Sequence, residues 1–294
     1  MLARGHALSG AALGLVGCQV AQLGGATVTP ATAFTAAAIC AGAALLPDLD
    51  HPEASIARTF GPISYRLSRI TNATSAVIYQ GTKTARDEAR DGGHRGITHT
   101  ILFAVFAGAT SGALALWRPG LMLILFTMLA FALRALVGMR QLNRFFDWVA
   151  CKLTGMSRRS RSRRLGARFW RWFLRHDQAW VTLMVLAALA SWWAAYALPE
   201  GGRSWWVGGA VAVGCWAHCL GDSMTRSGCS WLYPVKIRGR RWYPIGTPRA
   251  LRFHTGKRGE AVVTWALLLP VVLVLAVATV PDAWPGLLSL LPWT

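Results

Sequence analysis

Charged residues, and acidic ones above all, are scarce in this sequence. Only 15% of its 294 residues are Asp, Glu, Lys or Arg, and twelve are acidic, whereas soluble globular domains carry about 25% charged residues. This shortage excludes an ordinary soluble enzyme. Apolar residues take the place of charge: 54% of the chain is hydrophobic and 15 residues are tryptophan, which indicates an integral membrane protein.

Cysteine motifs are missing as well. The six cysteines show neither zinc-ribbon nor thioredoxin-like spacing. Cys215 and Cys219 are four residues apart on a predicted membrane helix, where small thiols are ordinary packing residues. Neither a disulfide framework nor a thiolate metal site is indicated.

Seven apolar runs are long enough to cross a bilayer as helices. They are Ala7–Leu23, Ala31–Leu46, Thr100–Trp117, Leu121–Val137, Ala179–Leu198, Trp205–Leu220 and Ala261–Val280. The predicted fold is therefore all-α, a polytopic bundle of about seven transmembrane helices that forms a single domain over residues 1–294.

The distribution of positive charge predicts the orientation of this bundle. Arg4 and the apolar run after it resemble a secretory signal, but His6 heads the run and a second apolar run follows closely, so we expect an uncleaved first span. With the N-terminus inside, the outer segments contain only Arg118 and Arg203 among 31 Lys and Arg, as the positive-inside rule requires. The outer segments are 24–30, 118–120, 199–204 and 281–294. The cytoplasmic loops are 48–98, 138–178 and 222–260.

The densest basic segment, residues 157–175, contains eight arginines interleaved with aromatic residues. Such a segment binds either anionic lipid, as an interfacial helix, or the phosphates and bases of a nucleic acid. No nucleic-acid-binding module accompanies it. Membrane lipid is therefore the expected partner, and no specific nucleic acid is expected.

Histidines and acids collect at the inner ends of four predicted spans. This set is His6, Asp48, Asp50, His51, His94, His99, His218 and Asp222. Charge near lipid is costly unless it is compensated, and a bound cation would compensate it. The set therefore predicts a metal site at the cytoplasmic membrane surface.

Local spacing supports shared ligation. His218 and Asp222 are four residues apart and so project from one helix face. Asp48 and Asp50 follow Pro47, and an extended Asp-Leu-Asp would turn both carboxylates the same way. We further expect Thr98 to cap the third span, with His99 in its first turn.

Each of these residues also has an ordinary structural explanation. An interfacial histidine is often a hydrogen-bonded packing residue, and Asp48 or Asp50 alone would suit a helix cap or a pair with Arg58 or Arg95. Asp222 would likewise suit an ion pair with Arg226. Their joint occurrence at four helix ends on one side nevertheless favours a metal site.

Imidazole and carboxylate ligands without thiolate suit a divalent ion, with zinc the first expectation and manganese or iron the alternatives. Eight candidates exceed the ligands of one catalytic ion, which implies either two or more ions or one ion with an outer shell and a general base. Such a centre activates water for hydrolysis of an ester, amide or phosphodiester. At headgroup depth, the expected substrate is a lipid or another amphiphilic molecule.

Four strings resemble the YdjM-like family of bacterial inner-membrane proteins, which are described as predicted metal-dependent hydrolases, some under control of the SOS repressor. The strings are GHALSGAALGL at 5–15, PDLDHPEASIAR at 47–58, GGHRGITHT at 92–100 and WAHCLGDSMTRSGCSWLYP at 216–234. The family is distantly similar to the zinc-dependent phospholipase C and nuclease superfamily. The resemblance implies as ligands His6, Asp50, His94, His99, His218 and Asp222. It implies that Asp48 and His51 are ligands or outer-shell residues. The basic insertion around 157–175 departs from the family pattern.

The leading hypothesis is a metal-dependent hydrolase of the plasma membrane that acts on a phosphoester or a lipid-linked ester. Asp50 or Asp222 would serve as ligand or base, and Arg95 would hold an anionic substrate oxygen. Two other classes remain open. Intramembrane His and Asp also mark metal transporters, and a closed site would suit a non-enzymatic stress-response factor with a structural metal.

Overall fold

The computed structural model describes residues 1–137, 142–145, 148–149, 152, 178–198, 204–248 and 252–281. Within these ranges the chain is all-α: no strand occurs, and only isolated bridges connect its loops. This confirms that the fold is all-α, as predicted. The predicted basic segment at 157–175 lies outside the described residues.

Each of the seven apolar runs forms a helix, and one further helix lies between the second and third runs. The helices are α1 (Ala3–Leu23), α2 (Pro30–Ala43), α3 (Pro62–Thr82), α4 (Ile101–Ala115), α5 (Arg118–Leu136), α6 (Gln178–Ala197), α7 (Trp206–Ser223) and α8 (Arg258–Thr279). Short 3₁₀ helices occupy Leu46–Asp50, Ile56–Arg58 and Ile97–His99.

Among the described residues, four helical segments are long and apolar enough to cross a membrane by length and composition. They are Pro30–Asp50, Arg118–Leu136, Ala179–Ala197 and Arg258–Thr279. Helix α4 is apolar but shorter. Large apolar side chains such as Phe106, Leu189 and Val274 are exposed on the outer surfaces of these helices, as expected of side chains that face lipid.

Helix α2 lies at the centre, where it packs against α1, α5 and α7. Small residues allow these backbones to touch. A Cβ atom at Gly14 of α1 would lie 2.7 Å from the carbonyl oxygen of Ala36, and one at Gly214 of α7 would lie 2.6 Å from that of Cys40. This close packing brings the first turns of α1 together with the last turns of α2 and α7.

Helix α3 falls within the predicted cytoplasmic loop 48–98 and has two different faces. Its buried face consists of small or polar residues, and its exposed face is apolar. The buried residues are Ser64, Ser68, Ser75 and Tyr79, and the exposed ones are Ile63, Leu67, Ile70 and Val77. The polar face packs against the segments that carry the predicted site residues, and the apolar face is left uncovered.

Candidate metal centre

Six of the eight predicted ligands meet at one end of the helix bundle. His6 comes from the first turns of α1, Asp48 from the 3₁₀ helix after α2, His94 and His99 from the segment before α4, and His218 and Asp222 from the end of α7. Their ligand atoms form three overlapping groups, and within each group all atoms lie within 4.8 Å of one another. The groups are His6, Asp48 and His218; Asp48, His94 and His99; and His99, His218 and Asp222.

The centre of the cluster is a pair of facing imidazoles. Nε2 of His99 lies 3.1 Å from Nε2 of His218, and both side chains are fully buried. Nδ1 of His218 donates to the carbonyl oxygen of Ala44 at 2.8 Å, because a carbonyl can only accept. Nδ1 of His99 lies 3.0 Å from the hydroxyl of Thr98. These contacts leave both Nε2 lone pairs directed at the same point, as in histidines that bind a metal.

Two carboxylates lie near both imidazoles. Asp48 Oδ1 lies 3.8 Å from Nε2 of His99 and 3.7 Å from Nε2 of His218. Asp222 Oδ2 lies 3.8 Å from each of these nitrogen atoms. The predicted juxtaposition of His218 and Asp222 on one helix face is confirmed. The imidazole pair therefore has a carboxylate oxygen from each of two aspartates within 4 Å of both Nε2 atoms.

His6 extends the cluster on the α1 side. Its ring stacks on that of His218 with centroids 3.8 Å apart. Both of its ring nitrogens are buried without a hydrogen-bond partner among the described residues, and the nearest carboxylate oxygen, Oδ1 of Asp222, lies 3.4 Å from Nε2. That same oxygen is 2.8 Å from the amino group of Met1. Buried nitrogens without partners are costly, so His6 fits a cation site better than a packing role.

The segment that carries Asp48 and Asp50 is a 3₁₀ helix, not the extended segment that would turn both carboxylates the same way. Pro47 occupies its first turn, where a missing N–H group leaves no hydrogen bond unmade. With three residues per turn, the two carboxylates point in different directions. Asp48 faces the imidazole pair, and Asp50 faces the segment 94–98.

Asp50 is fully buried, and donors surround both of its oxygens. Oδ1 lies 2.8 Å from Nδ1 of His94, and Oδ2 accepts from the hydroxyl of Thr98 at 2.5 Å and the backbone N–H of Arg95 at 3.1 Å. Nδ1 of His99 is 3.4 Å from Oδ2. Asp50 lies outside the three groups of candidate ligands. Its contacts are those of a residue that orients metal-binding histidines.

The segment before α4 also differs from the prediction. Thr100, not Thr98, caps α4, because its hydroxyl accepts from the N–H of Phe103 at 3.2 Å. Thr98 and His99 belong to a separate 3₁₀ helix. This extra turn directs Thr98 at Asp50 and places His99 outside α4.

The neighbouring histidines differ in exposure. The side chain of His94 is 38% exposed, and the ring of His51 packs against it with centroids 4.7 Å apart. His51 is absent from the groups of candidate ligands. It therefore lies beside the cluster, against one of its members.

Arg95 joins the two sides of the site. Its guanidinium forms a 2.8 Å ion pair with Oδ2 of Asp222 and donates to the carbonyl of Gly228 at 3.2 Å. Its backbone N–H is bound to Asp50, and its φ angle of 57° is rare for a residue with a side chain. Functional sites often hold the backbone in such conformations. The ion pair of Asp222 is with Arg95 and not, among the described contacts, with Arg226.

The charge state of His99 reflects its surroundings. Burial disfavours the imidazolium, but the neighbouring carboxylate of Asp50 and its hydrogen bond outweigh burial and raise the pKa of His99 to about 9. A divalent ion bound to Nε2 of His99 would displace a proton from this ring.

Sequence reasoning missed the residues of α3 that hold the segments around Asp50 and before α4 in place. The side-chain amide of Asn72 donates to the carbonyl of Asp50 at 2.7 Å. The hydroxyl of Ser75 donates to the carbonyl of Gly92 and accepts from the N–H of Ile97. These two polar residues on one helix face carry no motif, so only their position in the fold reveals them.

The fold and the cluster define an all-α membrane protein with a buried His/Asp centre at the helix ends. The chain matches the model of the family described as YdjM inner membrane protein over residues 1–150 and 166–284. It therefore belongs to that family, as the four sequence motifs predicted. The gap in the match, at 151–165, overlaps the basic insertion. No curated protein and no solved structure matches the chain.

Proposed function

We propose that this protein is an integral-membrane, metal-dependent hydrolase that acts on a phosphoester or lipid-linked ester at the cytoplasmic face of the inner membrane. The observation that carries the proposal is the pair of facing Nε2 atoms, 3.1 Å apart between His99 and His218. Both Nδ1 atoms are engaged elsewhere, and two carboxylates complete the donor set.

His99, His218, Asp48 and Asp222 are the residues that would hold the first ion. His6 and His94 would support a second ion or complete the first. Zinc is the first expectation, and manganese or iron would fit the same donors. A bound divalent ion supplies Lewis-acid activation of water.

The residues around these ligands have distinct roles in the proposal. Asp50 and Thr98 fix the rings of His94 and His99 through Nδ1. Asp48 is the cluster carboxylate with a solvent-facing side chain, 19% exposed, against 0% for Asp50 and 2% for Asp222. Asp48 would hold the ion through Oδ1, and we assign to its other oxygen the acceptance of a proton from the attacking water, in place of Asp50 or Asp222. Together with His94, Asp48 marks the side from which substrate enters.

The topology belongs to the same proposal. Seven spans with a cytoplasmic N-terminus place the cluster at the inner leaflet, and α3 then lies along that surface with Leu67 and Ile70 in the lipid. A spin label at position 70 should be relaxed by oxygen dissolved in the bilayer, and one at Lys83 by a water-soluble nickel chelate. Equal exposure of both labels to the chelate would contradict this placement of α3.

A structural ion is the second candidate, and it is favoured by the complete burial of His6, His99 and His218. A closed site with no open position stabilises a fold without catalysing a reaction. The exposed fraction of His94 argues against closure.

The test uses the full chain in lipid nanodiscs, with zinc or after treatment with a chelator, on a panel of phospholipids, phosphomonoesters and phosphodiesters. We expect turnover that depends on metal, is lost in His218→Ala and is unchanged in His254→Ala, which alters an exposed histidine outside the cluster. Stoichiometric metal without turnover on any ester would favour the structural ion. Metal flux into proteoliposomes without hydrolysis would favour a transporter.

A further inference from the structure

A second feature, a cleft of about 430 Å³, opens beside the metal cluster. It lies between the segment 88–95 and the loops at 227–230 and 240–244. Three arginines, Arg90, Arg95 and Arg240, line it together with His94, and Glu88 is the single acidic residue in its wall. Cavities that bind small molecules range from about 300 to 1,000 Å³, so this cleft suits a headgroup or another small ligand.

Arg90 is held in place before any ligand binds. Its guanidinium lies over the ring of Tyr79, 4.8 Å from the centroid, and donates to the carbonyls of His94 at 3.4 Å and Arg95 at 3.0 Å. A guanidinium has five N–H groups, so three remain without a partner among the described residues. A fixed arginine loses little freedom when it binds an anion.

The cleft carries an excess of positive charge. Neither Arg90 nor Arg240 forms an ion pair with a carboxylate in the described part of the chain, and Arg240 is exposed. Arg95 is paired with Asp222 on one side only, through a single nitrogen. Glu88 does not balance three arginines. The lining residues themselves carry three positive charges and one negative charge, so an anion with up to two charges would neutralise them.

The cleft and the metal cluster share a wall. His94 lines the cleft and belongs to a group of candidate ligands, and Arg95 lines the cleft while it binds Asp222. Cys229 lines it too and donates from its thiol to the carbonyl of His99 at 3.3 Å. A group bound between the arginines therefore lies next to the ligand atoms of the cluster.

We propose that this cleft binds the dianionic phosphate of a phosphomonoester, with Arg90 and Arg240 as its anion-binding residues. The inference rests on the proposed function, because it names the substrate class of the same site. Guanidinium groups bind phosphate oxygens through paired hydrogen bonds. The phosphate is either the headgroup of a lipid such as phosphatidic acid or part of a soluble phosphomonoester.

Binding of inorganic phosphate to the zinc-loaded full chain in phosphatidylcholine nanodiscs tests the cleft without any need for turnover. We expect saturable binding that Arg240→Gln weakens about tenfold, since the change removes one charge-assisted contact. Arg90→Lys keeps the charge but loses the planar fork, and it should weaken binding severalfold. The matched control is Arg238→Gln, which removes an exposed arginine of the same loop outside the cleft and should leave phosphate affinity within about twofold.

Nanodiscs in which about one lipid in ten is phosphatidic acid and the rest are phosphatidylcholine identify the source of the phosphate. If the lipid fills the cleft from the membrane, the apparent phosphate affinity of the wild type falls in these discs and that of Arg240→Gln changes little. If the ligand is soluble, phosphate affinity is the same in both discs and glycerol phosphate competes. Either result supports a phosphomonoester site.

Absence of saturable phosphate binding, or equal affinity in wild type and Arg240→Gln, would overturn the cleft proposal. Hydrolysis of an uncharged ester at an unchanged rate in Arg240→Gln would support the hydrolase proposal and contradict the role of the cleft in substrate binding. Phosphate binding that depends on Arg240, without hydrolysis of any ester, would support the cleft proposal and contradict the hydrolase proposal.

Discussion

The metal cluster and the arginine cleft are neighbours that share His94 and Arg95, yet they are built in different ways. The cluster is formed by helix ends, and its central side chains are buried and oriented by a second layer of hydrogen bonds. The cleft is formed by irregular loops, and two of its charged residues, Glu88 and Arg240, are exposed. Rigid elements suit groups whose geometry must be fixed, and loops suit the recognition of variable ligands.

This difference predicts that substitutions in the two regions affect metal binding and ligand binding separately. Changes within the cluster should lower metal affinity steeply, because each ligand atom has one orientation. Changes within the cleft loops should lower ligand affinity and local stability while metal stays bound.

The largest effect is expected from His99→Ala. This change removes one of the two facing Nε2 atoms, so the loss of zinc affinity should exceed the roughly 10–100-fold that the loss of an outer-shell partner costs. Elemental analysis of purified protein should find stoichiometric metal in wild type and in His254→Ala, and none in His99→Ala. Full metal content in the variant would show that the facing imidazoles do not bind the ion.

Asp50→Asn should have the next largest effect. The amide keeps one acceptor oxygen but points N–H groups at donors, so the rings of His94 and His99 lose their fixed orientation. Zinc affinity, measured by competition with a chelator, should fall about 10–100-fold. A variant that still binds stoichiometric zinc when zinc is in excess distinguishes an orienting residue from a ligand. An effect as large as that of His99→Ala would make Asp50 a ligand.

Asp87 tests the cleft. Partial burial disfavours the charge of this carboxylate. It accepts hydrogen bonds from the backbone N–H groups of Thr84, Trp242 and Arg241 and from the hydroxyl of Thr84. These hydrogen bonds outweigh burial and lower the pKa of Asp87. These contacts fasten the loop that carries Arg240. Because the folded pKa is lowered, the stabilisation is fully present above the ordinary value of 3.8 and is lost as pH falls through the folded value.

At neutral pH, Asp87→Asn should remove this stabilisation, at a cost of about 1 kcal/mol in the stability of the loop. The figure is modest because the carboxylate is partly exposed. Hydrogen exchange at the amides of Arg241 and Trp242 should accelerate severalfold, with metal content unchanged. Glu53→Gln, a change at an exposed acid outside the cleft, is the control. Loss of metal in Asp87→Asn would show that the two regions are not separable.

The smallest effect is expected from Gly221→Ala. The added methyl group would lie 3.2 Å from Cε1 and Nδ1 of His6 and 3.1 Å from the sulfur of Met1. These atoms must shift by a few tenths of an ångström, so zinc affinity should fall only severalfold. Gly209 lies on the same helix, and a Cβ there would have no other atom within 4 Å, so Gly209→Ala should leave zinc affinity unchanged. Equal affinities for both variants would show that the position of His6 does not matter.

The sequence predicted the apolar helices and most of the cluster, since helical spacing alone brings His218 and Asp222 together. It did not predict the course of the chain between helices. An extended segment would turn Asp48 and Asp50 the same way, but the 3₁₀ turn that includes Pro47 separates them. No local pattern distinguishes that turn from an extended segment.

The cleft was unpredictable for a different reason. Arg90 and Arg240 are far apart in the sequence, and no motif connects them. They meet because Asp87 binds the backbone of residues 241 and 242. Such contacts between loops depend on the tertiary fold, which hydrophobic periodicity does not encode.

The most direct test of the metal centre is X-ray absorption at the zinc edge of the full chain loaded with zinc. We predict a first shell of nitrogen and oxygen at about 2.0–2.1 Å with the outer scattering of at least two imidazoles. A sulfur shell at about 2.3 Å, or zinc without imidazole scattering, would contradict the account.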